Sequence, residues 1–160
     1  MRMVFHTSYI EIPHPDVLHS RRYLDFGKGF YVTQLREQAV RYGEKFIKNY
    51  KPAFLNSYYF DFDSDASIYS YRRFENYDGE WLDYITNCRL GNEVDSYDII
   101  EGGVANDRVF NTVDLYFQGI ISKDEALNRL RFEKPNWQIC LLSQMAIDSC
   151  LSFIQSEQLF

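Results

Sequence analysis

The sequence predicts an α+β protein with a largely antiparallel sheet core and flanking helices. Short segments rich in aromatic and β-branched residues are typical of strands, and amphipathic stretches between them are typical of helices. The two kinds do not alternate strictly, as they would in a doubly wound sheet. The 160 residues are 46% hydrophobic, which is enough for one core, and no repeat or linker divides them. We therefore expect one domain spanning residues 1–160.

The first elements are two strands and a helix. The segment MVFHTSY favours a strand, and GFYVT favours a second, short one after a proline-containing loop. The next segment, TQLREQAVRYGEKFIKNYK, is predicted to be a helix with Thr33 as its N-cap. Its apolar residues recur at helical spacing and are Leu35, Ala39, Tyr42 and Phe46.

A hairpin and a second helix are predicted next. The aromatic segment AFLNSYYFDF alternates in part and indicates a strand, which SIYSYRRF could pair with across the turn DSDAS. The segment DGEWLDYITNCRLG indicates a short helix that ends at Gly91.

The last third should hold two strands and two helices. YDIIEGGVA indicates a strand running into a glycine pair, and Ser122 with Glu125 forms a capping box for a helix through about Leu130. WQICLLS indicates a strand, and SQMAIDSCLSFIQSEQLF is predicted to be a closing helix.

Composition limits the class of protein. No stretch approaches the roughly 20 apolar residues of a membrane span, and the N-terminus has no signal-peptide pattern, so we expect a cytoplasmic protein without a membrane partner. The three cysteines have no CxxC spacing and are expected to be buried thiols. His14 and His19 lack a third ligand at suitable spacing, so no metal site is expected.

Charge is unevenly distributed along the chain. The formal net charge is −6, which disfavours a protein that simply coats nucleic acid. Residues 21–51 nevertheless hold 8 basic and 3 acidic residues, whereas residues 61–101 hold 3 basic and 11 acidic residues. The basic stretch fits either a solvated helix or a place for a phosphate-bearing ligand.

The stretch DFGKGFYVT, residues 25–33, has features of two known nucleotide motifs and matches neither. A kinase needs a glycine-rich loop, a strand lysine and an HRD loop before its DFG, and none is present. The P-loop and dinucleotide patterns also fail, because large aromatic residues follow the two glycines. Phe30 and Tyr31 should instead point to opposite faces of a strand, and Tyr42 on the following helix could converge with Tyr31 on a flat ligand.

These same residues carry a resemblance to a known family. FGKGFYVTQLREQAVRYG, residues 26–43, is similar to the loop, strand and helix of the poly(ADP-ribose) polymerases, and FHTS, residues 5–8, resembles their WHGS-like strand. The HxS, DFGxGFYxT, YDIIxGxVAND and QIC segments together resemble a bacterial family of unknown function within the ADP-ribosyltransferase-like superfamily. That resemblance covers nearly the whole chain. It implies a split antiparallel sheet with NAD⁺ held in the cleft.

The resemblance also implies roles for particular residues. His6 would bind the adenosine-side ribose, the backbone at Thr7 would meet the nicotinamide amide, and Tyr31 with Tyr42 would sandwich the nicotinamide ring. Ser8 and Gly29 complete the implied NAD⁺-binding set. Together with His6 and Tyr31, the implied catalytic residue is Gln138, where the superfamily often has a glutamate.

Two departures from the family pattern qualify these roles. Gln138 can bind a ribose hydroxyl but supplies no charge, and Glu133 is a weaker substitute. Thr7 stands where the family usually has glycine. Asn106, Asp107 and Arg108 fit either a role in orienting the acceptor or an ordinary turn.

The implied function is NAD⁺-dependent mono-ADP-ribosylation of an unknown macromolecular acceptor, either protein or nucleic acid. Related members act in bacterial toxin or phage-defence settings, which would add an antitoxin or other partner protein. The alternative is an NAD⁺- or ADP-ribose-binding module without turnover. A third interpretation is an interaction protein whose cleft is closed by its own aromatic residues.

Overall fold

A computed structural model describes residues 1–19 and 24–160, apart from the side chain of Asp107. Seven strands and five helices occur in this part of the chain, which confirms the α+β class. The strands are β1 Arg2–Ser8, β2 Phe30–Val32, β3 Ala53–Phe60, β4 Tyr71–Phe74, β5 Ile99–Val104, β6 Asn136–Leu141 and β7 Leu151–Leu159. The helices are α1 Arg36–Lys48, α2 Gly79–Leu90, α3 Asp107–Phe117, α4 Lys123–Leu130 and α5 Gln144–Cys150.

The strands form two sheets. The first has the order β1-β3-β7 and is antiparallel. The second has the order β2-β6-β5-β4 and is antiparallel except for the β4–β5 pair. An isolated bridge between Phe5 and Thr33 joins β1 to the residue after β2. The mostly antiparallel core predicted from sequence is confirmed, and it is divided at the β1/β2 junction.

The two sheets pack face to face around the main core. Its buried side chains come from both sheets. Val4 and Tyr58 belong to the first sheet, and Phe30 and Ile139 belong to the second. Helix α1 covers the other face of the first sheet through a second cluster that contains Phe5. Helices α2, α3 and α4 cover the outer face of the second sheet. The β1/β2 junction therefore lies where the two sheets meet.

Two long-range predictions are wrong. Strand β4 does not form a hairpin with β3; it pairs in parallel with β5, in register from Tyr71 and Ile99. The predicted closing helix ends at Cys150, and the chain continues directly as β7 along β3. Residues after Cys150 are taken into the sheet because the edge of β3 offers a complete row of backbone partners.

The helix boundaries show which local signals were informative. Gly91 ends α2 in the left-handed conformation with φ of 72°, as predicted. Ser122 caps α4 by accepting from Glu125 N, which confirms one half of the predicted capping box, whereas the Glu125 side chain accepts from Arg129 Nε at 2.9 Å. Thr33 is not the N-cap of α1, because its extended backbone is held in the bridge to Phe5 and the helix begins only after Leu35. Helix α3 occupies a segment for which no helix was predicted.

Two further features concern the cysteines and the apolar character of the helices. Cys88, Cys140 and Cys150 are free thiols with buried side chains, as expected. No helix within the described part of the chain is both long enough and apolar enough to cross a membrane.

Candidate functional site

His6 separates β1 from β2. Phe5 and Thr33 exchange two backbone hydrogen bonds of 2.8 and 3.0 Å, which closes the junction at that point. One residue further along β1, the His6 ring stacks on Phe30 with centroids 4.4 Å apart, and its Nδ1 lies 2.7 Å from the carbonyl oxygen of Tyr31. The His6 side chain thus takes the place of the next pair of backbone hydrogen bonds between β1 and β2. We refer to this interruption of the backbone pairing, beyond Phe5 and Thr33, as the gap.

The contact with Tyr31 fixes the protonation of His6. A carbonyl oxygen can only accept, so Nδ1 must carry the proton and donate it, which leaves Nε2 as an acceptor. Burial lowers the pKa of the imidazole below its ordinary value, the Tyr31 hydrogen bond opposes this, and the positive charge of Lys45 adds to the lowering. His6 is consequently a neutral imidazole whose Nε2 can accept a hydrogen bond from a ligand.

Thr7 offers its backbone to the same gap. In an antiparallel ladder, alternate residues direct their N–H and C=O groups to the same side. The backbone groups of Phe5 bond to Thr33, so those of Thr7, two residues later, also point towards β2. At that position His6 bonds to Tyr31 in place of a backbone pair. The Thr7 side chain points the other way, since its Oγ1 donates to the Ala39 carbonyl at 2.6 Å. The side chain is thereby bonded to α1 and does not crowd the gap.

Ser8 ends β1 with a buried side chain, and its Oγ accepts a long hydrogen bond of 3.4 Å from Ile10 N. It pairs with Phe54 in the β1–β3 ladder. The structure therefore places Ser8 beside the gap and gives it a role in ending the strand.

The segment before β2, residues 25–29, is fixed by contacts at both of its ends. Buried Asp25 accepts from Arg89 Nε at 2.7 Å and from Ala105 N at 2.8 Å, which ties the loop to α2 and to the end of β5. Gly27 has φ of 92°, a conformation that side chains disfavour. Gly29 packs against β6 so closely that a Cβ atom would lie 2.6 Å from the Sγ of Cys140. The glycines serve the shape of the loop.

Tyr31 holds this loop from within. Its hydroxyl donates to Gly27 O at 2.6 Å and accepts from Phe26 N at 3.1 Å, and its ring lies parallel to Phe26 with centroids 6.4 Å apart. Burial raises the pKa of Tyr31 well above its ordinary value, so the phenol stays neutral. Tyr31 contributes its carbonyl to His6 and its side chain to the loop.

Gln138 lies on β6 opposite Gly102. Tyr31 pairs with Cys140, two residues further along β6, so the side chains of Tyr31 and Gln138 share the outer face of the second sheet. His6 points to the face between the sheets, where it stacks on Phe30, so its side chain lies on the opposite face of the second sheet from those of Tyr31 and Gln138. The Gln138 side chain is partly exposed and forms no hydrogen bond with any residue that the structure describes.

Tyr42 lies on α1 and is 52% exposed. Its ring contacts Phe46, with centroids 6.0 Å apart, and the Nζ of Lys45 lies 3.7 Å from its centroid. Within residues 1–19 and 24–160, no ring pair joins Tyr42 to Tyr31. Any sandwich of a nicotinamide ring between them stays a prediction.

A scan against protein-family models gives a match across most of the chain. The model named DUF3990, a protein of unknown function, matches residues 2–153. This chain belongs to the DUF3990 family. Searches among curated proteins and among solved structures give no match. The near full-length resemblance is thereby confirmed at the level of a family of unknown function, and the DUF3990 match includes β1, β2 and β6, which carry the site.

The DUF3990 chain also holds a buried carboxylate that the sequence reasoning missed. Glu101 is 1% exposed and bonds to Arg2 at 2.5 Å and to Arg73 at 3.1 Å. These arginines come from β1 and β4, so one carboxylate ties the two sheets together. A charged residue within the apolar run YDIIEGGVA was the available signal, because a glutamate is rarely buried without a partner.

The segment after β5 has a structural role at one of its three polar residues. Asn106 is the N-cap of α3 and accepts from Val109 N at 3.1 Å. Arg108 is exposed and lies 3.0 Å from the carboxylate of Glu133. The side chain of Asp107 lies outside the described part of the structure. For Asn106 the alternative of a local backbone bond is the one observed.

The structure also bears on the histidines of the proline-containing loop. His19 Nδ1 lies 2.8 Å from Asp16 Oδ1 in an exposed pair. In the described ranges, no three His, Cys, Asp or Glu side chains are grouped in a way that could hold a metal ion.

Proposed function

We propose that this DUF3990 chain is an NAD⁺-dependent mono-ADP-ribosyltransferase of the ADP-ribosyltransferase-like superfamily that modifies a macromolecular acceptor. The observation that carries the proposal is the gap opened by His6 between β1 and β2. The gap combines a neutral imidazole acceptor with an outward-facing pair of backbone groups at Thr7. Of the residues to which the family resemblance assigns roles, Tyr31 bonds to His6 through its carbonyl oxygen, and Gln138 lies on β6, the strand beside β2.

The Thr7 backbone has the hydrogen-bonding pattern that a carboxamide requires. A carboxamide offers one donating NH₂ group and one accepting oxygen, and a strand residue with a free edge offers the complementary C=O and N–H. Nicotinamide carries such a group, so two backbone bonds would orient its ring in the gap. His6 Nε2 would accept from a ribose hydroxyl of the same nucleotide.

Lys45 is the candidate partner of the NAD⁺ diphosphate. It lies on α1, its positive charge contributes to lowering the pKa of His6, and its Nζ lies over the rings of Tyr42 and Phe46. A lysine is a common point-charge partner of phosphate. Sequence reasoning had recognised only the basic character of this stretch.

The proposed chemistry breaks one bond and forms another at the same carbon. The glycosidic bond between the ribose C1′ and the nicotinamide nitrogen breaks, and its electron pair leaves with neutral nicotinamide. An oxocarbenium-like centre develops at C1′, a nucleophile of the acceptor attacks it, and the nucleophile loses its proton. Gln138 would hold a ribose hydroxyl through its amide, without the charge with which a glutamate stabilises such a cation.

Transfer of label from NAD⁺ tests the proposal. Wild-type chain is incubated with NAD⁺ labelled in the adenine moiety and with protein or nucleic-acid extracts, and the macromolecular fraction is counted. His6→Asn keeps a donor for Tyr31 O and removes the Nε2 acceptor, so we expect label transfer to be lost. His19→Asn, on the exposed loop, is the matched control and should transfer label normally. Absence of both transfer and nicotinamide release in all extracts would refute the proposal.

A second candidate is a module that binds NAD⁺ or ADP-ribose without turnover. Gln138 favours it, since this residue is uncharged and unbonded in the described structure. Calorimetry would then detect binding, and chromatography would detect no nicotinamide. Gln138→Glu separates the two functions, because activity created by the substitution would support the binding module and activity already present in wild type would refute it.

The proposed toxin or defence role has a test of its own. Expression of the wild-type chain should slow bacterial growth, and His6→Asn should restore it.

A further inference from the structure

An aromatic and basic surface adjoins the proposed NAD⁺ gap. Tyr9 directly follows β1, and its ring packs against Phe46 of α1 with centroids 5.9 Å apart. Lysines cover these rings, since Lys45 Nζ lies 5.0 Å from the Phe46 centroid and Lys51 Nζ lies 4.6 Å from the Tyr9 centroid. We define the aromatic–basic surface as Tyr9, Tyr42, Lys45, Phe46, Tyr50 and Lys51.

This surface is exposed and differs in charge from the rest of the chain. Tyr9 is 46% exposed and Tyr42 is 52% exposed. Residues 36–51 hold five basic and two acidic residues, whereas the remainder of the chain holds 12 basic and 21 acidic residues. A polyanion would therefore be attracted to this side of an otherwise acidic molecule.

Tyr50 supplies an independent observation. It has φ of 58°, the left-handed region that bulky residues rarely adopt, and its side chain is 99% exposed. Asparagine or glycine would occupy this position with less strain, and burial does not compensate for the tyrosine. The left-handed backbone itself ends α1, through bonds from Tyr50 N to Ile47 O at 3.0 Å and from Lys51 N to Phe46 O at 2.9 Å. This ending does not require a ring, so the exposed tyrosine at this position points to a binding role for that ring.

We propose that the aromatic–basic surface binds single-stranded nucleic acid and presents it to the gap as the acceptor. Unpaired bases stack on exposed rings and lysines neutralise the phosphates between them, which is the combination used by sequence-tolerant single-strand binders. An acidic peptide would use the lysines and leave the rings unused. The acceptor role rests on the proposed transferase function, whereas the binding itself does not.

The test is anisotropy of labelled single strands of about 12 nucleotides, as DNA and as RNA, titrated with the full chain without NAD⁺. We expect tighter binding to at least one single strand than to a duplex of equal length. Tyr50→Asn, which suits the left-handed backbone, should weaken that binding about tenfold by removing one stacking ring. Lys51→Gln should reduce the slope of log affinity against log salt by about 0.7.

A matched control exists on another part of the chain. Arg131 lies over the ring of Phe132, 4.6 Å from its centroid, and Phe132 is 76% exposed. Phe132→Ala should leave the affinity within about twofold, because stacking is local to the rings that the strand touches. An equal loss in Phe132→Ala and Tyr50→Asn would overturn the inference. Equal affinity for duplex and single strands, or equal competition by polyglutamate, would also overturn it.

The outcome is separable from that of the proposed function. Single-strand binding without any use of NAD⁺ would support the surface and remove only its acceptor role. Transfer of label to protein, with no oligonucleotide binding, would overturn the surface and leave the transferase intact.

Discussion

Glu101→Gln should destabilise the protein by weakening the charged hydrogen bonds that link the two sheets. The carboxylate is 1% exposed and accepts from Arg2 at 2.5 Å and from Arg73 at 3.1 Å. Glutamine keeps the shape and one acceptor but removes the charge, so two charge-assisted hydrogen bonds lose about half of their strength. Hydrogen bonds to charged groups contribute roughly 1.5–3 kcal/mol each. We therefore expect the free energy of unfolding to fall by about 2 kcal/mol.

The assay is urea unfolding followed by tryptophan fluorescence, with thermal unfolding as a second measurement. For a chain of this size, about 2 kcal/mol corresponds to a fall in Tm of roughly 4–8 °C. The matched control is Glu75→Gln, because Glu75 also bonds to Arg73, at 2.6 Å, but its side chain is 64% exposed. That change should stay within about 0.5 kcal/mol of wild type. Equal effects of both substitutions would refute the reasoning from burial.

Three further predictions concern the loop and the gap. Gly29→Ala should lower the free energy of unfolding by about 1–3 kcal/mol in urea titrations, because the added Cβ would lie 2.7 Å from Leu141 O. Tyr31→Phe removes the bond to Gly27 O and should cost about 1 kcal/mol and speed proteolysis of the loop, unlike Tyr50→Phe, whose hydroxyl is in solvent. The pKa of His6 is lowered in the folded state, so the unfolded chain binds a proton more readily. The free energy of unfolding should therefore fall as the pH drops below about 6.5. In a pH series of urea titrations, His6→Asn should lack this part of the fall.

Local signals in the sequence were sufficient for most elements. The glycine at the end of α2 and the serine at the start of α4 act on backbone groups within a few residues, so their effect can be predicted without the fold. Strands β1, β3, β5 and β6 were recognisable because their aromatic and β-branched residues pack against a pleated surface. The helix α3 was missed although Asn106 is a good N-cap, because the preceding glycine pair suggested a loop.

Long-range pairings could not be predicted in the same way. Strand β4 lies beside β5 because Tyr71 and Phe62 pack into the core between the sheets, a contact that no local pattern reveals. The local pattern after Cys150 predicts a helix, whereas these residues form β7, because pairing with the edge of β3 outweighs a weak local preference. Thr33 could not be recognised as a bridge residue without knowing that Phe5 lies opposite.

In the candidate site, too, the residue types could be selected from the sequence, whereas their roles depend on the fold. The residue types at His6, Thr7, Tyr31 and Gln138 were selected from the sequence, yet what they do depends on the split between the sheets. Because of that split, the His6 side chain lies between β1 and β2, and the backbone groups of Thr7 point towards β2 without a backbone partner there in the described residues. The burial of Glu101 likewise requires β1 and β4 to converge on β5, which is a property of the assembled fold.

The most direct test of the proposed function is the position of the nicotinamide ring in a crystal structure of this chain with NAD⁺. We expect the carboxamide to form hydrogen bonds with the N–H and C=O of Thr7, His6 Nε2 to accept from a ribose hydroxyl, and His6 Nδ1 to keep its bond to Tyr31 O. Nicotinamide bound elsewhere, or a β1/β2 junction closed by backbone hydrogen bonds at Thr7, would contradict the proposed function.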